Sequence, residues 1–210
     1  MENILVAGAN GTTGKKVVTL LNESPYFNPI AMVRKVEQQA YFKAKNIETV
    51  LGDLEGDVSP FFTDSIDKVI FAAGSGGTNV IGVDQEGAKK LIDASKKANI
   101  KKFVMLSSMG ADKPEEATQL QEYLKAKYNA DEYLKVSGLN YSIVRPGSLT
   151  NESPLTTIEL ERKLNRAGEI SREDVAQTLV QTLHDNVANK ATFEIINGDT
   201  LIGKALEKVS

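Results

Sequence analysis

Short β-branched runs alternating with longer stretches of helical periodicity constrain this chain more than any other feature. Apolar runs occupy Ile4 to Ala7, Pro29 to Val33, Glu48 to Leu51, Lys68 to Ala73, Phe103 to Leu106, Tyr141 to Val144 and Thr192 to Ile196. Their length suits strands buried on both faces. Between them, apolar positions recur at helical spacing over Thr13 to Leu21, Val36 to Lys45, Asp84 to Ala98, Glu116 to Lys135 and Glu173 to Leu183. This alternation predicts right-handed βαβ crossovers and an α/β, doubly wound parallel sheet that binds ligands beyond the carboxyl ends of its strands. Ser171, followed by Glu173 and Asp174, reads as a helix N-cap with an acidic first turn, and Gly138 follows the helix that ends near Ser137. The chain reads as one domain over 1–210, in which 148–170 is the least regular part. There Ile158, Leu160, Arg162 and Leu164 alternate like a strand beside Asn151, Pro154 and Gly168. This small C-terminal region is read as a substrate loop or lid, or as a connecting hairpin.

Composition removes whole classes of function. The 25 basic and 28 acidic residues give a net charge of −3, and no basic stripe interleaves with aromatics, so no nucleic-acid partner is expected. With no cysteine there is no thiolate nucleophile, iron–sulfur cluster or Cys-ligated zinc. The single histidine, His184, precludes a site of several imidazoles; its place at the end of a helical run suits the helix macrodipole. No metal site is expected. Met1 to Val6 lacks a basic leader, and no apolar run approaches the ~18 residues of a membrane span. The expectation is a cytoplasmic protein acting on a small-molecule substrate, with no membrane partner, as a monomer or homodimer.

The segment Gly8-Ala9-Asn10-Gly11-Thr12-Thr13-Gly14 joins the first strand to the first helix. In such a loop one glycine permits a tight turn, a second lets backbone approach a pyrophosphate at the helix N-terminus, and a third lets helix and strand pack closely. The spacing G-x-x-G-x-x-G is a variant of the dinucleotide fingerprint. A P-loop does not fit, because Lys16 rather than Ser or Thr follows Gly14-Lys15. Where NAD-binding domains place an acidic residue about 20 positions on, this chain has Arg34 with Lys35 beside it. Two cations there would clasp a 2′-phosphate, which points to NADP as cofactor; the alternative is a solvated loop pair.

Taken together, Gly8 to Gly14, Asp53, Ala72-Ala73-Gly74, Ser107-Ser108, Tyr123 with Lys127, Arg145-Pro146-Gly147, Ile170 to Ala176 and Gly198-Asp199-Thr200 resemble the short-chain dehydrogenase/reductase superfamily. The closest resemblance is to its atypical NADP-binding branch, often labelled NAD(P)H-binding or epimerase-like. The resemblance implies a Rossmann-type fold in which Gly8, Asn10, Gly11, Thr12, Thr13, Gly14, Arg34 and Lys35 bind the cofactor. It places Asp53 and Leu54 against the adenine, Ala72, Ala73 and Gly74 along ribose and phosphates, and Arg145 and Pro146 at the cofactor as well. It also implies that Tyr123 exchanges the proton accompanying hydride transfer, that Lys127 favours tyrosinate and holds the nicotinamide ribose, and that Ser108 orients the substrate. A lysine four residues after a tyrosine shares its helix face. Spacing alone means little, since Tyr41 and Lys45 match it too, after the second strand. Asp84 stands where many relatives carry asparagine and could accept a proton or only cap a helix. The short region between Gly147 and Gly168 leaves little room for a bulky sugar nucleotide. The expected function is an NADP(H)-dependent oxidoreductase acting on a small carbonyl, quinone, flavin or sugar-like compound. The alternatives are an NADP(H)-binding redox sensor without turnover and an NAD(P)-dependent sugar epimerase.

Overall fold

The structure, a computed structural model, describes residues 1–62 and 65–210. Along the chain run β1 (Glu2–Ala7), α1 (Thr12–Asn22), β2 (Phe27–Val33), α2 (Val36–Lys43), β3 (Glu48–Leu51), β4 (Lys68–Phe71), and a π-helical stretch, Val80–Gly87, continuing into α3 (Ala88–Lys97). There follow β5 (Lys102–Leu106), α4 (Gln121–Val136), β6 (Tyr141–Pro146), β7 (Ser148–Thr150), β8 (Thr157–Glu161) and β9 (Glu169–Ser171). The chain closes with α5 (Arg172–Gln181), β10 (Ala191–Asn197), β11 (Thr200–Leu201) and α6 (Ile202–Leu206).

The main sheet has the order β3-β2-β1-β4-β5-β6-β10-β8-β11. Pairing is parallel from β3 through β10, whereas β8 runs antiparallel to both β10 and β11. The strand order reverses at β1, so the loops after β1 and β4 diverge at the carboxyl edge and leave a crevice between them. Helices cover both faces, and the strands divide their side chains accordingly: Ile4, Val6, Ile70 and Val104 enter one core, Leu5, Val69, Phe71 and Phe103 the other. Period-two alternation with apolar residues on both faces explains why these segments read as continuous hydrophobic runs. No helix among the described residues is long and apolar enough to cross a membrane.

Three details differ from the sequence expectation. The expected all-parallel sheet carries an antiparallel edge, because part of 148–170 folds back as β8 and pairs with β10, while β7 and β9 form a separate two-stranded parallel ribbon. The helix expected from Glu116 begins at Gln121, after a short 3-10 turn at Pro114–Glu116 and a left-handed Leu120 at φ 58°. Asp84 does not open its helix: Asn79 does, its Oδ1 accepting the Gly82 N–H at 3.0 Å. Ser171, by contrast, caps α5 as expected, Oγ accepting the Asp174 N–H at 3.0 Å. His184 lies just beyond α5 with its ring 5.5 Å from Tyr26 and 5.2 Å from Phe27, a packing role.

At the sheet's amino edge, Lys68 and Lys102 are fully buried neighbours on β4 and β5. Lys68 donates to the Leu183 carbonyl at 2.8 Å and pairs with Glu2 and Asp185, each at 2.6 Å; Lys102 donates to the Val187 carbonyl and to Asn189. They satisfy backbone carbonyls of the turns that follow α5, at Leu183 and Val187. Burial, with Lys68 alongside, pushes the Lys102 ammonium down to about 8.

The closest backbone packing lies at the carboxyl edge. Gly8 has φ +83°, and a Cβ there would stand 2.5 Å from Ala73 Cα; a Cβ on Gly14 would stand 2.1 Å from the Gly8 carbonyl oxygen. Both neighbours are backbone and cannot rotate away, so a methyl group must push α1 off β1. Gly14→Ala should therefore cost about 1–3 kcal/mol of stability, measured by urea denaturation; an unchanged midpoint would show that α1 is not held at this distance.

Candidate active site

The crevice at the strand reversal opens into a cleft of about 430 Å³. Its floor is Gly8, Asn10 and Gly11 from the β1–α1 loop; its sides are Arg34 after β2, Asp53 and Leu54 after β3, and Ala73, Gly74 and Ser75 after β4. Gly11 caps α1 with no side-chain bond, and no acidic residue occupies the first turn. The leading amides of α1 are thus left for an anion, which the helix dipole favours. Gly11 has open backbone on the cleft side, its added Cβ meeting only the Gly8 carbonyl at 3.2 Å. These features fit a dinucleotide pyrophosphate.

The cleft's far end is built by turns held from outside. Gln38 Oε1 accepts the N–H groups of Arg34 and Lys35 at 3.0 and 3.1 Å, fixing the corner where exposed Arg34 faces the cleft. Lys90, on α3, donates to the Glu55 carbonyl at 2.6 Å and so steadies the turn carrying Asp53 and Leu54. Several of the residues expected at the cofactor are not among those lining this cleft. Lys35 is exposed beside the corner, outside the cleft lining; Thr12 lines an adjoining groove with Lys15 and Tyr41; Thr13 and Gly14 are buried against the sheet; Ala72 packs against the core. Lys45, in the turn after α2, donates to the Tyr41 hydroxyl at 3.1 Å, away from the cavity that holds Tyr123.

A second cavity, about 600 Å³, lies beyond the ends of β5 and β6. Ser107, Ser108, Tyr123 and Pro146 form one side, Leu149 on β7 and the β8–β9 loop from Leu164 to Gly168 the other, with Met109, Leu120 and Leu124 adding apolar surface. The 148–170 region does supply one wall, through β7 and this loop rather than as a single flap. Register pairs β4 with β5 up to Phe71 and Met105, so Ala72-Ala73-Gly74 and Ser107-Ser108 leave the sheet side by side.

Helix α4 organises the ground between the two cavities. Tyr123, Lys127 and Asp131 repeat every four residues on one face. Lys127 is buried, its ammonium 3.3 Å from the buried Asp84 carboxylate, 3.5 Å from the Ala73 carbonyl and 3.4 Å from the Leu106 carbonyl. It also lies 5.6 Å from the Tyr123 ring centre. Asp84 receives the Ser75 N–H at 3.0 Å as well, so one ion pair ties the π-helical stretch, the β4 loop, β5 and α4 together. Asp131 is fully buried: Ser107 Oγ donates to its Oδ2 at 2.8 Å, Arg145 Nε donates at 3.0 Å, and Arg145 Nη2 stands 2.9 Å away. Burial pushes the Asp131 carboxyl up, against the pull of Arg145 and Ser107. Arg145, expected at the cofactor, thus turns its guanidinium inward. Ser108 Oγ donates to the Met109 carbonyl at 3.2 Å. Among the described residues the Tyr123 hydroxyl has no partner, so of these three hydroxyls only its proton is uncommitted. Sequence reasoning missed Asp131 and Gln38. The signal for Asp131 was a continuation of the Tyr-Lys spacing by one more turn; Gln38 gave none.

An α/β sheet with a glycine-floored cleft at its strand reversal, facing the first amides of a helix, defines a dinucleotide-binding protein. Comparison with known proteins agrees: the NAD(P)H-binding family profile matches residues 8–186, and the chain belongs to that family. It is 39% identical over 213 residues to the "uncharacterized sugar epimerase YhfK" of Bacillus subtilis, covering 98% of this chain and 99% of that one. Among solved structures, a Bacillus halodurans protein provisionally described as an NAD-dependent epimerase/dehydratase superposes with a TM-score of 0.94 at 37% identity, covering 99% of this chain and all of the other. The oxidoreductase ylbE of Lactococcus lactis superposes with a TM-score of 0.87 at 30% identity, covering 99% and 96%.

The Asp84–Lys127 pair yields a direct test. Lys127→Met leaves a buried carboxylate uncompensated and should cost about 3–5 kcal/mol in urea denaturation at neutral pH. Adding Asp84→Asn should restore more than half of that loss. A double variant no more stable than the single one would mean the two charges are not coupled.

Proposed function

We propose that the protein is an NADP(H)-dependent oxidoreductase of the atypical short-chain dehydrogenase/reductase type that reduces a small carbonyl-like compound in the second cavity. The observation that carries this reading is the free Tyr123 hydroxyl, lining that cavity while both neighbouring serine protons are committed. NADPH, when bound, supplies the hydride. The chain's own part is to hold the dinucleotide by Gly8, Asn10, Gly11, Ala73 and Gly74, and to seat a substrate oxygen near Tyr123. Reduction of a carbonyl adds a hydride at carbon and a proton at oxygen; Tyr123 delivers the proton as general acid. Lys127, held inward by Asp84, stands with its ammonium 5.6 Å from the Tyr123 ring centre and is the residue that would hold the nicotinamide ribose beside it. Arg34 lines the cleft's corner, and a guanidinium there supports NADP over NAD because it would pair with a 2′-phosphate. The oxidoreductase relative at 30% identity is consistent with this chemistry.

The relative named as a sugar epimerase favours a second reading, in which the cofactor is reduced and reoxidised within one turnover and released unchanged. The two differ in one observable, net NADPH consumption. Against a panel of small aldehydes, ketones, quinones and flavins, the purified protein should oxidise NADPH, and Tyr123→Phe should lower the rate at least about 100-fold. Bound nucleotide without net oxidation, together with product interconversion, would favour the epimerase. Separately, Arg34→Glu should weaken NADPH at least about tenfold while leaving NADH nearly unaffected; an unchanged affinity ratio would remove Arg34 from the phosphate site.

A further inference from the structure

The polar groups behind Ser107 fix more than its position. Asp131 Oδ2 faces three neighbours: Arg145 Nε at 3.0 Å, Arg145 Nη2 at 2.9 Å and Ser107 Oγ at 2.8 Å. A guanidinium nitrogen can only donate. Oδ2 accepts the Nε hydrogen, while Nη2 adds its charge at 2.9 Å without a hydrogen bond, and a hydroxyl facing a carboxylate oxygen so paired with a guanidinium meets it by donating. Ser107 therefore spends its single O–H on Asp131. Asp131 Oδ1 is buried and without a hydrogen-bond partner among the described residues, so Oδ2 is the oxygen through which Asp131 holds Ser107. Asp131 and Arg145 are both held inside the protein, at 0% and 5% exposure, so water has little access to reverse the arrangement.

With its proton committed inward, Ser107 meets the second cavity with lone pairs alone. We infer that the second cavity selects substrates bearing an O–H or N–H donor beside the reacting carbon, read by Ser107 as acceptor, with Asp131 as the positioning residue that orients it. This inference rests on the proposed reductase reading and narrows it. A hydroxyketone, a sugar-like compound or a ring N–H compound satisfies both ends of the site, its carbonyl taking the Tyr123 proton and its donor resting on Ser107. A plain ketone or a fully substituted quinone leaves Ser107 desolvated and unpaired, which a buried polar group disfavours. The expectation that Ser108 orients the substrate shifts one residue along the chain, since Ser108 Oγ already donates to the Met109 carbonyl while Ser107 is the serine with a buried partner behind it.

The test uses a pair of probes, 2-hydroxyacetophenone and 2-methoxyacetophenone, which share the ketone and replace the O–H donor by O–CH3; a preference due to the added methyl group alone would survive removal of the Ser107 hydroxyl. Their dissociation constants are measured by NMR on the full chain, with and without NADP, so that no turnover is needed. The hydroxyl compound should bind about tenfold more tightly. Ser107→Ala should bring the two constants together, and Ser107→Thr, which retains the hydroxyl, should restore the gap. A purely structural Ser107–Asp131 bond would leave the ratio near one in every variant, and that result overturns the inference. So does binding of neither probe by a protein that still binds NADP, and so does a preference that survives Ser107→Ala. Failure of the reductase reading shows differently: the preference appears, but no NADPH is consumed with either probe.

Discussion

Three pieces of backbone meet at the carboxyl edge of the sheet at distances that only glycine allows, and the functional geometry hangs on that meeting. Gly8 turns through a positive φ against Ala73, and Gly14 lays α1 directly on the Gly8 carbonyl. The contact sets the height of the helix N-terminus above the sheet, and with it the floor of the dinucleotide cleft. It also fixes the loop after β4, whose Ala73 carbonyl is one of the acceptors around Lys127. A lateral shift of α1 would open the anion site and loosen the group that anchors the second cavity.

From that edge, order passes to the second cavity through buried charge rather than through apolar packing. Asp84 with Lys127, and Asp131 with Arg145, are ion pairs placed where desolvation is costly. Such pairs add little net stability compared with an apolar core. They do specify one arrangement, because each misplacement would leave a charge stranded. A further run of charges, Asp112 with Lys163 at 2.8 Å and Lys163 with the fully buried Glu194 at 3.0 Å, reaches the β8–β9 loop, where Glu194 also accepts the Leu164 N–H at 2.6 Å. The wall opposite Tyr123 is thereby pinned to β10, and cavity shape becomes a property of the sheet.

How much of this could be read from the sequence follows from the range of the interactions. The parallel core, the glycine loop and the Ser171 cap are local: their signals lie within a few residues, in β-branched runs, glycine spacing and one serine before two acids. The cleft residues Gly8, Gly11, Arg34, Asp53 and Ala73 converge because parallel strands end at one edge, a rule of topology. Pairings set by tertiary distance were not legible. Nothing in the run around Arg145 says that its guanidinium turns toward Asp131, and nothing near Asp84 says that its charge belongs to Lys127. The antiparallel β8 was visible only as alternation, with its partner β10 more than thirty residues away. Leu120, left-handed before α4, delayed a helix that periodicity alone would have started at Glu116, because periodicity carries no information on φ.

The central claim is that the two cavities are consecutive parts of one site, the dinucleotide running from Arg34 past Gly11 and ending beside Tyr123. A crystal structure of the protein with NADPH and an unreactive substrate analogue tests it most directly. The account predicts the 2′-phosphate at Arg34, the pyrophosphate on the first amides of α1, and the nicotinamide between Ala73-Gly74 and Ser107. Its C4 should face the second cavity, within roughly 4 Å of the analogue carbon that stands for the reacting carbonyl. A nicotinamide turned away from Tyr123, or a dinucleotide bound without contact to Gly11, would contradict it.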